Sequence, residues 1–290
     1  MSSARLPQTP DFSPVRTVIF FRGLCTYCDD QLHLGPIKLG PMAHHLGRAF
    51  AERNFIFKSV DQMGCGSIDE MGHRALDHLN ALPAPLFKGK IFFLGHSLGG
   101  LIARWVAQRW QAGKISAVAT IASPHHGSQI AEQLAKLTAG RRILHNLSRL
   151  VSYNVAQKQE LFRHLYPSVI QEFNRSHPLS DAIPCYSILG ALPPDQLSWP
   201  LRLLQYAYPL TGPNDGMLEL SSQRWGQVIG KFSLDHFSQL GYVLHLNPKI
   251  RSQSRAEFTR MVERLVFCFT QEPQPAGTTN ARITLSGNKI

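Results

Sequence analysis

Gly95-His96-Ser97-Leu98-Gly99 sets one serine between two glycines, directly after an apolar run and just ahead of a helix-forming one. Ile91 to Leu94 reads as a buried strand and Leu101 to Trp110 as a helix. A serine on a sharp strand-to-helix turn is the arrangement of a nucleophile elbow, in which the hydroxyl projects clear of the sheet. The glycines let neighbouring backbone pass where a Cβ would clash. The helix that follows aims its N-terminus at the serine and favours the negative charge that develops in acyl transfer. A serine hydroxyl is a poor nucleophile at neutral pH, so this chemistry also needs a base and a carboxylate to orient that base. With 13 histidines and 19 acidic residues in the chain, mere existence of partners decides nothing. Chain order and local context must.

The elements that would position such a site alternate in type. Val15 to Phe21 reads as a buried strand, 25–41 as a loop, Met42 to Arg53 as a helix and Phe55 to Val60 as a short strand. Ser67-Ile68-Asp69-Glu70 is a capping box that opens a helix to about Leu82. Ile115 to Ala122 is another apolar strand, followed by a helix over Gln129 to Thr138. Ile183 to Leu189 and Val228 to Phe232 complete the strands, and Ser254 to Phe269 forms a closing amphipathic helix. Continuously apolar strands alternating with helices predict an α/β fold with a mostly parallel sheet covered on both faces. Residues 140–182 break the rhythm. Ile143, Leu144, Leu147, Leu150 and Val151 fall at helical spacing among Arg141, Arg142, His145 and Arg149. Leu161, Leu165, Val169, Ile170 and Phe173 follow. This segment is expected to be an inserted helical cap, either packed on the core or acting as a lid. The expected organisation is thus one domain over 15–270, with flexible termini at 1–14 and 271–290.

Composition narrows the function classes. Hydrophobic residues make up 43% of the chain and charged residues 17%, which supplies a large core and excludes a disordered protein. The net charge of +11 invites a nucleic-acid reading, but the basic residues are scattered and form no recognised binding motif. No nucleic-acid partner is expected; attraction to anionic surfaces or substrates, an anionic lipid interface among them, is the milder inference, and a solvated basic face with no specific partner is the preferred one. Cys25, Cys28, Cys65, Cys185 and Cys268 are odd in number and dispersed, so no disulfide framework is expected. The Cys25/Cys28 pair has no second pair at zinc spacing and reads as loop thiols. No 18-residue apolar stretch predicts a transmembrane segment, and residues 1–14 lack the pattern of a secretory signal. A cytoplasmic location is the expectation, with export by another route left open.

Four separated segments together resemble the bacterial triacylglycerol lipases of the α/β-hydrolase superfamily. They are Gly95-His96-Ser97-Leu98-Gly99-Gly100, the Ala119 to Ser128 stretch ending Ser123-Pro124-His125-His126-Gly127-Ser128, Pro213-Asn214-Asp215-Gly216-Met217 with Ser221-Ser222, and Asp235-His236-Phe237-Ser238-Gln239. The similarity spans roughly 15–245, with the cap alike by position alone. It implies an α/β-hydrolase fold and a Ser-His-Asp triad of Ser97 as nucleophile, Asp215 as orienting acid and His236 as general base. On local sequence alone Asp215 is a turn aspartate and His236 a histidine near a strand end. Glu219 and Asp195 are the spare acids. The resemblance further implies an oxyanion hole from the backbone N–H groups of Leu98 and Leu24. Arg22, His96 and His125 become candidate substrate-pocket residues, with His125 and His126 also read as fixing their loop. Two departures stand out. The family carries His-Gly where this chain has Arg22-Gly23, which leaves Arg22 free for an anionic head group or an ion pair with Asp29 or Asp30. It also carries a calcium-binding aspartate where this chain has Ser238, so no calcium site of that kind and no other metal is expected. No cofactor is implied. The implied activity is hydrolysis of small-molecule or lipid carboxylic esters. Acyltransferases, thioesterases and lipid deacylases use the same machinery, and a catalytically inactive hydrolase-fold binding protein is the alternative from another class.

Overall fold

The computed structural model describes residues 15–23, 30–34, 37–60, 66–135, 162–178 and 181–271. Strand β1 (Arg16–Phe21) carries Thr17 to Phe21 fully buried, and such a continuous run needs cover on both sides. It pairs in parallel with β4 (Ile56–Val60) and with β5 (Lys90–His96). Beyond β5 lie β6 (Ile115–Ile121), β7 (Cys185–Gly190) and β8 (Gln227–Phe232), every pair parallel. The sheet order is therefore β4-β1-β5-β6-β7-β8. Successive side chains of a strand point to opposite faces. On β5, Phe92 stacks on Phe269 with ring centroids 4.4 Å apart, while its neighbour Phe93 meets Trp110 at 5.5 Å. Helix α7 (Pro248–Thr270) thus covers one face, beside α1 (His44–Ala51), and α3 (Leu98–Ala107) covers the other, packed on α2 (Ile68–Asn80). The expected sheet and two-sided cover are present.

Local sequence accounts for several boundaries. The capping box forms as expected: Ser67 N–H donates to Glu70 Oε2 at 2.8 Å, and Glu70 N–H to Ser67 Oγ at 3.1 Å. Helix α7 begins earlier than the expected Ser254. Asn247 caps it through Lys249 N–H at 2.9 Å and Pro248 occupies its first position, a start signal that the apolar spacing alone did not reveal. The loop expected over 25–41 is corrected in its second half, where β2 (Gln31–Leu34) and β3 (Ile37–Pro41) form an antiparallel ribbon. The alternation of Leu32 and Leu34 inward with Gln31 and His33 less buried is the period of a strand.

Further helices are α4 (Gln129–Ala135), α5 (Pro167–Ser176) and α6 (Trp199–Ala207), the last having no counterpart in the sequence reading. Most of the expected cap at 140–182 lies outside the described residues. Of its described residues, 162–178 and 181–182, the first stretch packs Phe162, Leu165, Ile170 and Phe173 into the main core. Cys25, Cys28 and Cys65 also lie outside the described residues, and no disulfide joins the described Cys185 and Cys268. Among the described residues no helix is long and apolar enough to cross a membrane.

Candidate active site

Ser97 is the residue at which β5 becomes α3. Its φ of 55° and ψ of −132° lie outside the regions ordinary residues favour, and the turn is held by Ser97 N–H to Ile121 O at 2.9 Å and Gly100 N–H to Ser97 O at 3.0 Å. His96 and Leu98 on either side are buried, whereas Ser97 itself is partly exposed. The glycines are required by close approach. A Cβ on Gly99 would overlap the Phe21 carbonyl, and one on Gly100 would overlap Ser123 Oγ. Leu98 is the first residue of α3, so its N–H has no acceptor within the helix. Gly23 closes on the elbow from β1: a Cβ there would stand 2.9 Å from Ser97 Cβ and 3.2 Å from His96 O. Leu24, the other expected oxyanion donor, lies outside the described residues, as does Asp29.

Asp215 sits in the turn between β7 and β8 and is fully buried. Four N–H donors converge on its carboxylate. Oδ1 accepts from Met217 N–H at 2.9 Å and Leu218 N–H at 2.8 Å. Oδ2 accepts from His236 Nδ1 at 2.8 Å and Gln239 Nε2 at 3.1 Å. That supplies the satisfaction a buried carboxylate needs. The acid turn is anchored in turn by Gln223, whose amide bonds Gly190 N–H at 2.7 Å, Gly190 O at 3.0 Å and Leu218 O at 3.1 Å. Ser222 ties it to the Ser123–Ser128 loop by donating to Gly127 O.

His236 follows β8 and is laced to the acid turn twice, through Nδ1 and through its backbone N–H to Asp215 O at 2.9 Å. Because Asp215 accepts at Nδ1, the proton sits there and Nε2 is left to take one. The ring of His96 lies 4.6 Å from that of His236, so the residue preceding Ser97 packs on the imidazole. His96 Nε2 donates to Gln239 Oε1 at 3.2 Å, and burial together with nearby His236 holds its pKa well below the ordinary histidine value. Gln239 therefore spans the elbow and the acid with one amide. It stands three residues beyond His236, in a short 3-10 turn.

The other expected residues fall as follows. Arg22, His96 and His125 are each 1% exposed. His125 bonds Thr120 Oγ1 at 3.0 Å and accepts from Arg104 at 3.1 Å, and its ring stacks on Trp225 at 5.2 Å. These are bonds that fix its loop. Glu219, buried beside Asp215, has its pKa raised by burial first and by the Asp215 charge second. Asp195 is exposed in a short 3-10 turn. Ser238 turns its hydroxyl onto Asp235 Oδ1 at 2.7 Å. Among the described residues no group of three His, Cys, Asp or Glu is arranged to hold a metal ion.

Comparison with known proteins accords with this framework. The family described as PGAP1-like alpha/beta domain matches residues 84–169, which contain β5, the elbow and β6. No curated protein sequence matches the chain significantly. A metagenomic carboxyl esterase superposes with a TM-score of 0.65 at 16% identity, covering 92% of this chain and 79% of that one. The mature form of a Bacillus licheniformis lipase gives 0.61 at 16% identity, covering 89% and 96%. The Staphylococcus hyicus lipase gives 0.59 at 12% identity, covering 92% and 98%. At these identities the likeness is one of fold. The chain has the α/β-hydrolase fold.

Proposed function

We propose that this protein is a serine hydrolase of carboxylic esters. The observation that carries the reading is the buried Asp215–His236 pair, bonded at 2.8 Å, whose imidazole packs on the residue preceding a strained serine elbow. In this reading Ser97 Oγ attacks the ester carbonyl while His236 Nε2 takes its proton, and Asp215 steadies the imidazolium. The oxyanion rests on the N–H groups of Leu98 and Leu24. His236 then protonates the departing alcohol, leaving an acyl group on Ser97. Water, deprotonated by the same nitrogen, releases the acid and restores the serine. The ester-cleaving relatives in structure support this choice of substrate, and the net charge of +11 suits esters presented at an anionic lipid surface.

The test is hydrolysis of p-nitrophenyl esters of graded chain length, with and without an emulsified interface. Ser97→Ala should lower kcat at least ~10⁴-fold with the fold intact, and should abolish labelling by a fluorophosphonate probe. Retention of most activity by that variant would overturn the reading. A sharp preference for short soluble esters would remove lipid from the assignment and leave the esterase. Failure of the native protein to label at all would favour the inactive binding module.

A further inference from the structure

Arg104, on the second turn of α3, is a buried cation with no carboxylate to answer it. It is 5% exposed, and no Asp or Glu among the described residues forms an ion pair with it. Burying an unpaired charge is costly, so whatever offsets it is informative. Nη1 donates to His125 Nδ1 at 3.1 Å and Asn174 Oδ1 at 2.9 Å, and Nη2 to His177 O at 2.7 Å. The guanidinium also lies 5.0 Å from the ring centroids of both Phe173 and Trp225. That occupies three of five donors. Its Nε is buried without a hydrogen-bond partner, and so is Nε1 of Trp225.

Both residues wall two adjoining cavities whose linings do not include the elbow. One, of about 410 Å³, is lined by Arg104, His125, His126, Asn174, Arg224 and Trp225 among others. The second, of about 370 Å³, shares Arg104, Pro178 and Trp225 and continues past Ala107, Val118 and Ile183. Neither wall contains Ser97, Leu98, Asp215 or His236, and neither contains an acidic residue among those described. The first cavity carries the cations Arg104 and Arg224, and the second adds the apolar side chains of Ala107, Val118 and Ile183 beside Arg104 and Gln108. Volumes of this order are those of small-molecule sites.

We propose that these two cavities form a second binding site, separate from the hydrolytic centre, for an amphipathic carboxylate, with its head at Arg104 and Arg224 and its alkyl chain along Ala107, Val118 and Ile183. The head brings acceptors to a wall with two unpartnered donors, Arg104 Nε and Trp225 Nε1, and the chain meets Ala107, Val118 and Ile183. Arg224 is exposed at the mouth, where it adds charge, and among the described residues its side chain makes no hydrogen bond or ion pair.

Calorimetric titration of the full-length protein with octanoate tests this, with octanol and inorganic phosphate as parallel probes. Octanoate should bind, and both octanol and phosphate should bind at least about tenfold more weakly. Arg224→Glu should weaken octanoate about tenfold by reversing charge at the mouth, and Ala107→Trp should do so by filling the apolar cavity. Both variants should cleave a short soluble ester at the unaltered rate, because neither residue touches Ser97 or His236. Absence of octanoate binding, or binding that neither variant weakens, overturns the proposal. Equal binding of octanol makes the site merely apolar, and equal binding of phosphate makes it a simple anion site. Either result also overturns it.

Discussion

Gln239 shows how much of the candidate site depends on one neutral side chain. Its amide donates to Asp215 Oδ2 and accepts from His96 Nε2, so it fixes the acid from one end and the elbow from the other. Gln239→Ala would leave His96 without its acceptor and Asp215 with three donors, at a cost of about 1–3 kcal/mol in stability. Loosening the imidazole and elbow relative to each other should lower kcat by about 10- to 10²-fold with KM little changed, since the amide positions the machinery and does not bind substrate. Steady-state kinetics alongside chemical denaturation would read both. A loss of stability with kcat intact would reduce Gln239 to a structural residue. The Gly-flanked Ser97 stands out by its local context, whereas Asp215 in an Asn-Asp-Gly turn and His236 near a strand end are joined to it only by chain order and by the resemblance. Gln239 does not stand out, because its partners are 24 and 143 residues away in the chain and only the fold brings them together.

Elements were legible in proportion to the simplicity of their environment. The strands of the sheet's centre are buried on both faces, and their apolar runs announce them. The β2–β3 ribbon packs one side only and its signal is a four-residue alternation, easily read as loop. Helix α6 buries only Pro200, Leu201 and Leu204 over nine residues, too few for its spacing to stand out beside the prolines around it. Packing between helices is also invisible to propensity, and Gly72 makes that measurable. It lies inside α2, where alanine would be favoured over glycine by about 1 kcal/mol on intrinsic grounds. However, a Cβ there would overlap the indole of Trp105, which is 1% exposed and held by Nε1 donating to Asp69 Oδ1 at 2.6 Å. The ring cannot swing aside without breaking that bond. Gly72→Ala should therefore destabilise the fold by about 1–3 kcal/mol. Denaturant unfolding would show it, and a stabilised variant would mean that helix propensity outweighs the α2–α3 contact.

Across the whole molecule, buried imidazoles set the response to acid. His96 and His125 are fully enclosed and held well below the ordinary histidine pKa, by burial first and then by the nearby His236 and Arg104 respectively. His45, His177 and His245 are lowered as well, each mainly by burial. In the unfolded chain these groups protonate near ~6.5, whereas in the native protein they stay neutral to lower pH. The unfolded state thus binds more protons as pH falls, and stability declines with it. Their contribution is complete above ~6.5 and is lost as pH drops toward the depressed native values. Glu219 acts in the opposite sense. Its pKa is raised on folding, so its contribution is complete at low pH and fades as pH climbs through the raised value. One carboxyl set against five imidazoles leaves the histidines in control of the sign. Protonation also adds to a chain already at +11, and that self-repulsion works in the same direction. The thermal midpoint should fall as pH drops from about 6.5 to about 5 at fixed ionic strength. A flat or rising midpoint over that range would mean that these imidazoles are protonated in the native protein, and the neutral His96 that donates to Gln239 would have to be abandoned with them.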